Sequence, residues 1–437
     1  SVTPASVSDV ANTSTGGLSL PAGTTAQRPG SPDTGESRFN STTGSLEFYD
    51  GSAWVSTNLI PNISSITGDI NNTYDTNLVF TVTNNTDIVD VIFSEGGVAF
   101  HTVSGESVSS GTFTLATPSQ VYGQTVGDTI SISVRNADGT PSGNAITKTV
   151  LAAPTGGTIT TTSGYRYHVF NSSSTFTTTY SVNADIVVVA GGGGGGCWVA
   201  AGGGAGGLID AKYSSAGISL DGTHTVTVGA GGTGIINDGA YNWSNGTRGI
   251  DSYIEKSGTK LLTAAGGGRG GSYDSEGDGL ALALSGGSGG GRGLNTQSNG
   301  AGIQTSATST PGESNAMNAN SRTYGYGANG GSSSSNESYG QEGGGGASGT
   351  QEASGNGQDG RTIAWLDSDS RTFGTNSSNS ASSGNYFSGG GGAGNHSGGT
   401  VGVGGLGGGA NGRSASTAKA PSGLSNTGGA GGGGGNS

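Results

Sequence analysis

Asp185-Ile-Val-Val-Val-Ala-Gly-Gly-Gly-Gly-Gly-Gly196 is the stretch that decides the fold, because a β-branched strand runs without a turn into a glycine tract. Such tracts recur to Ser437. Only 19 of the 93 glycines precede Asp185, so more than a quarter of the residues beyond it are glycine. Glycine buries no side chain and loses the most backbone freedom on ordering, and composition alone therefore describes a linker. Periodicity argues for order. A polyproline-II helix has three residues per turn, so glycine held in one frame leaves a bare edge for a neighbouring helix.

That frame recurs. Within 398–412 one frame is Gly399, Gly402, Gly405 and Gly408, while another is Thr400, Val403 and Leu406. Gly287, Gly290 and Gly293 form a second such frame, and in 202–208 the non-glycine frame holds Ala205 and Leu208. Collagen is excluded, since no strict Gly-X-Y register persists and proline is scarce. Three strand-to-glycine units, Ala184–Gly196, His224–Gly234 and Thr259–Gly271, introduce the bundle. The expected fold is all-β with a glycine-rich polyproline-II-type helix bundle: a short β meander, an immunoglobulin-like β-sandwich, then the glycine-rich domain.

Working outward, residues 1–17 read as a polar tail, 18–58 as the meander, 59–153 as the sandwich and 154–437 as the glycine-rich domain. The meander has strands at 38–40, 46–49 and 53–55 separated by Thr-Thr-Gly and Asp50-Gly51 turns. A module of this size does not close a core alone. Its aromatic residues Phe39, Phe48, Tyr49 and Trp54 are therefore expected to serve assembly. In the sandwich, seven strands are expected at 62–66, 78–83, 88–93, 98–102, 112–115, 129–135 and 145–150, as a spacer.

The 437 residues carry a net charge of -13 with 16 Lys and Arg, which argues against phosphate backbones and anionic membranes as partners. The single cysteine, Cys197, cannot form an intrachain disulfide and reads as a small buried hydrophobe beside Trp198. No apolar run approaches membrane-spanning length, and Ser1-Val-Thr-Pro lacks a signal-peptide pattern; either a cut precursor or removal of an initiator Met is expected.

Chemistry-bearing motifs are sparse. Gly229, Gly231 and Gly234 satisfy G-x-G-x-x-G after a strand, but a loop follows where a dinucleotide site needs a helix. The histidines His101, His168, His224 and His396 have no ligand spacing. Asp274, Glu276, Asp278, Asp367 and Asp369 read as solvated loop charges before they read as Ca²⁺ ligands. No cofactor, metal or catalytic residue is expected.

The stronger signal is aromatic. Tyr241, Trp243, Tyr273, Tyr324, Tyr326, Tyr339, Trp365, Phe373, Tyr386 and Phe387 fall largely in breaks between glycine runs, among Asn, Ser, Asp and Arg. Rings supply stiff apolar area while amides and hydroxyls supply hydrogen bonds, which suits a sugar or protein surface. The competing expectation for each ring is packing at the ends of the bundle or against an oligomer partner, and Trp198, between the first two glycine tracts, is expected to pack.

Residues Pro21–Trp54 resemble a module of bacteriophage tail-fibre and virion appendage proteins, through Pro21, Gly23, Thr24, Gln27, Arg28, Pro29, Gly35, Arg38, Phe39, Asn40, Ser41, Thr43, Gly44, Glu47, Tyr49, Asp50, Gly51 and Trp54. The run from Tyr167-His-Val-Phe170 to the glycines after Asp185 resembles the start of glycine-rich domains in such fibres, and the remainder is similar in style to the tip adhesins of T-even-type phages. The resemblance implies a virion fibre that binds a host-surface glycan or protein through loops of a glycine-rich tip. It implies a homo-oligomer such as a trimer, attached to other virion tail proteins, with neither nucleic acid nor membrane insertion. The alternative is an extracellular filament subunit polymerising through strand or glycine-face contacts. A glycan-degrading enzyme ranks third, since the repeating strands of a parallel β-helix are missing.

Overall fold

The computed structural model describes residues 20–42, 44–56, 60–83, 88–137, 139, 141–162, 165–212, 214, 217–234, 246–272, 282–293, 298–304, 324–332, 342–349, 355–367, 373–375, 384–395, 400–414 and 421–435. The chain divides into two units, Ser1–Ala153 and Pro154–Ser437. Regular structure is nearly all β, and the described helices are single turns.

In the first unit, β1 (Ala22–Gly23), β2 (Ser37–Asn40), β3 (Ser45–Tyr49) and β4 (Trp54–Ser56) form one sheet in that order. Asp50 closes the last turn, its Oδ1 accepting from the Ser52 and Ala53 amides at 2.8 Å each. Strand alternation normally sends aromatic residues inward. Here the phase is reversed, with Phe39, Leu46, Phe48 and Val55 left 36–41% exposed while Arg38, Asn40, Ser45 and Glu47 are buried.

Glu47, fully buried, is compensated by donors. Arg28 Nη2 donates to its Oε2 at 2.6 Å, Asn40 Nδ2 donates to the same oxygen at 2.9 Å, and Arg38 lies 3.5 Å from Oε1. The hydrogen bond from Arg28 holds the Glu47 carboxyl below the usual carboxylate range. Tyr49 and Trp54 pack on each other at 5.8 Å on this polar side. Of the four expected assembly residues, Phe39 and Phe48 lie on the open face. Tyr49 and Trp54 do not, because their strand phase is that of Glu47.

The rest of this unit comprises β5 (Asn62–Thr67), β6 (Ile70–Asn71), β7 (Asn77–Thr83), β8 (Ile88–Glu95), β9 (Val98–Ser107), β10 (Thr112–Ala116), α1 (Ser119–Tyr122), β11 (Thr129–Asn136) and β12 (Ile146–Leu151). One sheet runs β10-β7-β5 and the other β6-β12-β11-β8-β9. Alternate residues of both sheets, among them Leu78, Phe80 and Val82 of β7 and Ile130, Ile132 and Val134 of β11, share one core. Each of the seven strands expected here forms, β6 is an addition, and β9 is longer than its sequence pattern suggested.

The second unit is layered. A hairpin pairs β13 (Thr158–Thr162) with β14 (Tyr165–Val169). One sheet has the order β15 (Ser174–Asn183), β18 (Ser219–Thr227), β19 (Ser252–Lys256), β20 (Thr259–Ala264), and another the order β16 (Ile186–Val189), β17 (Leu208–Ala211), β21 (Gly325–Tyr326). Two short elements follow, β22 (Arg361–Thr362) paired with β23 (Tyr386–Phe387), and the turn α2 (Ala364–Asp367) between them. Strand β16 is apolar throughout because both of its faces are covered. Ile186 and Val188 face the core of the β15–β20 sheet, and Val187 and Val189 face a second core around Leu208, Ile363, Leu366 and Phe387.

Beyond these strands the chain becomes glycine runs joined by main-chain hydrogen bonds with a period of three. In the run 201–207, the amides of Ala201, Gly204 and Gly207 donate to Gly271, Gly268 and Ala265. Those of Gly202 and Ala205 donate to Glu342 and Gly345, and those of Gly203 and Gly206 to Gly431 and Gly428. A strand has two edges; this run has three, each against a different neighbour. At most positions of the run such approach leaves no room for a side chain. A Cβ at Gly202, Gly203, Gly204 or Gly206 would come within 3.0 Å of a neighbouring carbonyl oxygen. At the surface the same period points outward, with Val403 51% exposed while Gly402 and Gly405 are buried.

Candidate functional site

The runs have two ends. At one they continue into β16, β17, β18 and β20. At the other, the chain turns back through Gly196–Ala201, closed by the Gly196 amide on Ala201 O at 3.1 Å and the Gly434 amide on Gly196 O at 3.0 Å. Trp198 and Val199 hold φ of 59° and 50° there. Positive φ is uncommon outside glycine and an outlier for a β-branched residue. Val199 is buried and Trp198 is partly exposed.

Many breaks between runs open from this turned end. The stretch 235–245 is flanked by a ladder in which the Gly194 amide meets Thr247 O and the Thr247 amide meets Thr233 O, at 3.0 Å each. Ser272, before 273–281, accepts from the Cys197 amide at 3.1 Å through Oγ. Gly291, near 294–297, accepts from the Gly271 amide, and Glu342, after 333–341, from the Gly202 amide. Asn395 and Arg413, before 396–399 and 415–420, bond to each other beside Gly394, whose amide donates to Ala200 O.

Of the ten rings expected to touch a receptor, Tyr241, Trp243, Tyr273 and Tyr339 lie outside the described residues. The other six are tied to the strand layers at the opposite end. Phe387 is 4% exposed in the second core, which removes it as a contact residue. Trp365 packs on that core and its indole N–H donates to Asp210 Oδ1 at 2.7 Å. Phe373 lies 5.3 Å from Tyr167, and Arg361 stacks 3.8 Å over Tyr326. Tyr324 packs on the β15–β20 core, and Tyr386 pairs with Thr362 across β22 and β23. These rings fall at breaks in the glycine pattern and lie against the strand layers, five of the six partly exposed. Trp198, expected to pack, is the described aromatic at the turned end and is partly exposed; the Cys-Trp-Val interruption of a glycine run is the signal that marks it.

Titratable groups are dispersed. Burial pushes the Cys197 thiol up. His224 is 1% exposed with both ring nitrogens lacking a partner, and burial pushes its pKa down, as it does for His168, whose Nδ1 lies 2.8 Å from Gly156 O. Burial likewise lowers Arg269 near the turned end. Among the described residues no group of three or more His, Cys, Asp and Glu is placed to hold a metal ion. Asp274, Glu276, Asp278, Asp369 and His396 lie outside the described residues, as does the side chain of Asp367. In the run with Gly229 and Gly231 two glycine amides are already engaged, Gly229 on Ser252 Oγ and Gly232 on Gly192 O. No described helix is long and apolar enough to cross a membrane.

Comparison with curated proteins and with solved structures finds no match. A family model described as a glycine-rich domain matches residues 169–437, the part built from β15 to the last glycine run. That match spans more than half of the chain, which therefore belongs to the glycine-rich domain family.

Proposed function

We propose that this chain is a virion-fibre adhesin of the phage tail-fibre kind, binding a host-surface glycan or protein without catalysis through loops at the turned end of its glycine-rich domain. The observation that carries the reading is the convergence at one end. The described residues flanking 235–245, 273–281, 294–297, 333–341, 396–399 and 415–420 all bond around the Gly194–Gly202 turn. A rigid main-chain block that opens repeatedly at one end suits presentation of contact segments. In this reading Trp198, Tyr241, Trp243, Tyr273 and Tyr339 contact the receptor, the three-period runs are polyproline-II helices, and the two-sheet module is an immunoglobulin-like spacer. The protein acts as a homo-oligomer, such as a trimer, on the virion beside other tail proteins, and gains strength by avidity.

The filament reading draws on β9, a ten-residue edge strand free of Lys and Pro, the kind of edge another chain can extend. One experiment separates the two. The full chain is sized by light scattering and electron microscopy, then tested on immobilised capsule, lipopolysaccharide and outer-surface protein from candidate hosts. Discrete oligomers whose binding falls at least about tenfold in Trp198→Ala and Trp243→Ala, with unchanged melting, support the adhesin. Filaments that lengthen with concentration, or binding untouched by these variants, overturn it.

A further inference from the structure

We propose that the open face of the meander, formed by Phe39, Leu46, Phe48 and Val55, is an association surface that packs against the same face of a second copy of this chain. The inference is independent of the reading of the glycine-rich end. Its basis is a reversal of phase confirmed by register. Phe39 pairs directly with Leu46, and Phe48 with Val55, so the four side chains form one continuous patch across β2, β3 and β4. They are 41%, 36%, 38% and 37% exposed, respectively.

Behind them lies the ionic layer of Arg28, Arg38, Asn40 and Glu47. That layer satisfies its own charges and has the Tyr49–Trp54 pair as its apolar part, which leaves the four-residue face without a partner, and a small sheet needs its apolar face packed for stability. An apolar layer must therefore come from outside the sheet, or the rings remain in water.

Charge selects a copy as the occupant. The patch has no ionisable residue, whereas the chain carries a net charge of -13. A charged partner surface would be desolvated here without compensation. The same face on another copy brings no charge to desolvate and is complementary by symmetry. Area sets the strength. Aromatic side chains bury about 150–250 Å² each, so Phe39 and Phe48, left about two-fifths open, present on the order of 150 Å², and the smaller Leu46 and Val55 bring the patch to less than about 300 Å². A standard interface takes about 800 Å² from each partner. Association through this patch is accordingly weak and concentration-dependent, and it leaves the module soluble as a single copy.

The test is sedimentation velocity on the full chain between about 1 and 100 μM. The wild type is expected to gain mass with concentration. Leu46→Glu, which sets like charges against each other across the symmetric contact, and Phe48→Ala, which removes area without adding charge, are each expected to shift the midpoint at least about tenfold upward. Val126→Glu, which places the same charge at a 47% exposed residue outside the meander and outside β9, is expected to leave it unchanged. Melting curves of each variant confirm the fold. A wild type that stays monomeric throughout overturns the proposal, whether the face is covered by another segment of the chain or by a different partner. So does an unchanged midpoint in both Leu46→Glu and Phe48→Ala.

Discussion

Two glycines of the same domain should respond oppositely to one added methyl group. At Gly204 a Cβ would press on Ser288 O and on Gly289. The runs would have to part by roughly 1 Å to restore ordinary contact. The Gly204 amide donates to Gly268 O at 2.8 Å and its carbonyl accepts from the Gly193 amide at 2.8 Å, so parting strains two buried hydrogen bonds. Overpacking costs about 1–3 kcal/mol, and each lost bond about 1 kcal/mol. Gly204→Ala should therefore destabilise by about 3–5 kcal/mol. At Gly231 the nearest atom to a Cβ is Gly192 O at 3.7 Å, ordinary contact, and its φ is not positive. Gly231→Ala should be neutral or stabilise by up to about 1 kcal/mol through the unfolded chain. Calorimetry and urea unfolding of the full-length protein measure both. At about 2–4 °C per kcal/mol, Gly204→Ala should lower the transition of the second unit by about 6–20 °C. Equal costs at the two positions would refute the account of the glycine runs as main-chain contacts.

Two further outcomes concern buried charge and pH. Glu47→Gln should destabilise the meander by about 2–4 kcal/mol, since it strands Arg38 beside a neutral amide; because the folded Glu47 pKa is depressed, the stability it supplies should be full above about pH 4.5 and vanish as pH falls below that, in urea melts from pH 7 to 3. Burial lowers the His224 pKa, Lys256 lowers it further and Asp221 opposes, so the unfolded chain takes up a proton first and the second unit should lose up to about 1.4 kcal/mol per pH unit as the pH falls from about 6.5 to the folded pKa. His224→Phe should flatten that loss, and an unchanged slope would assign it to other groups such as His168.

What the sequence made legible was local. The three-residue frame is visible because Val403 and Leu406 can only point outward if Gly402 and Gly405 point inward. The strands of the two-sheet module are visible because their apolar residues alternate. The pairing of runs is not, since Gly203 meets Gly431 and Gly202 meets Glu342 through backbone atoms common to every residue, and a glycine carries no side chain to encode a register. The fate of the rings escaped for a related reason. Trp365 and Phe387 look unattached in their own loops, and their partners, Asp210 and Leu208, lie more than 150 positions earlier. In the meander the alternation was plain and only its phase was hidden, because nothing in Arg-Phe-Asn and Ser-Leu-Glu-Phe-Tyr announces that Glu47 has two guanidinium groups waiting for it.

The three-edged runs also bear on how such a gene can change. Most nucleotide changes in the first two positions of a glycine codon produce a residue with a Cβ, and at the crowded positions each of these collides with a carbonyl. Purifying selection should therefore fall on single codons along the runs, while insertions, deletions and recombination between them leave the wall of the block untouched. A fold of this kind should be brittle to point mutation at its crowded glycines and far more tolerant at an open one such as Gly231.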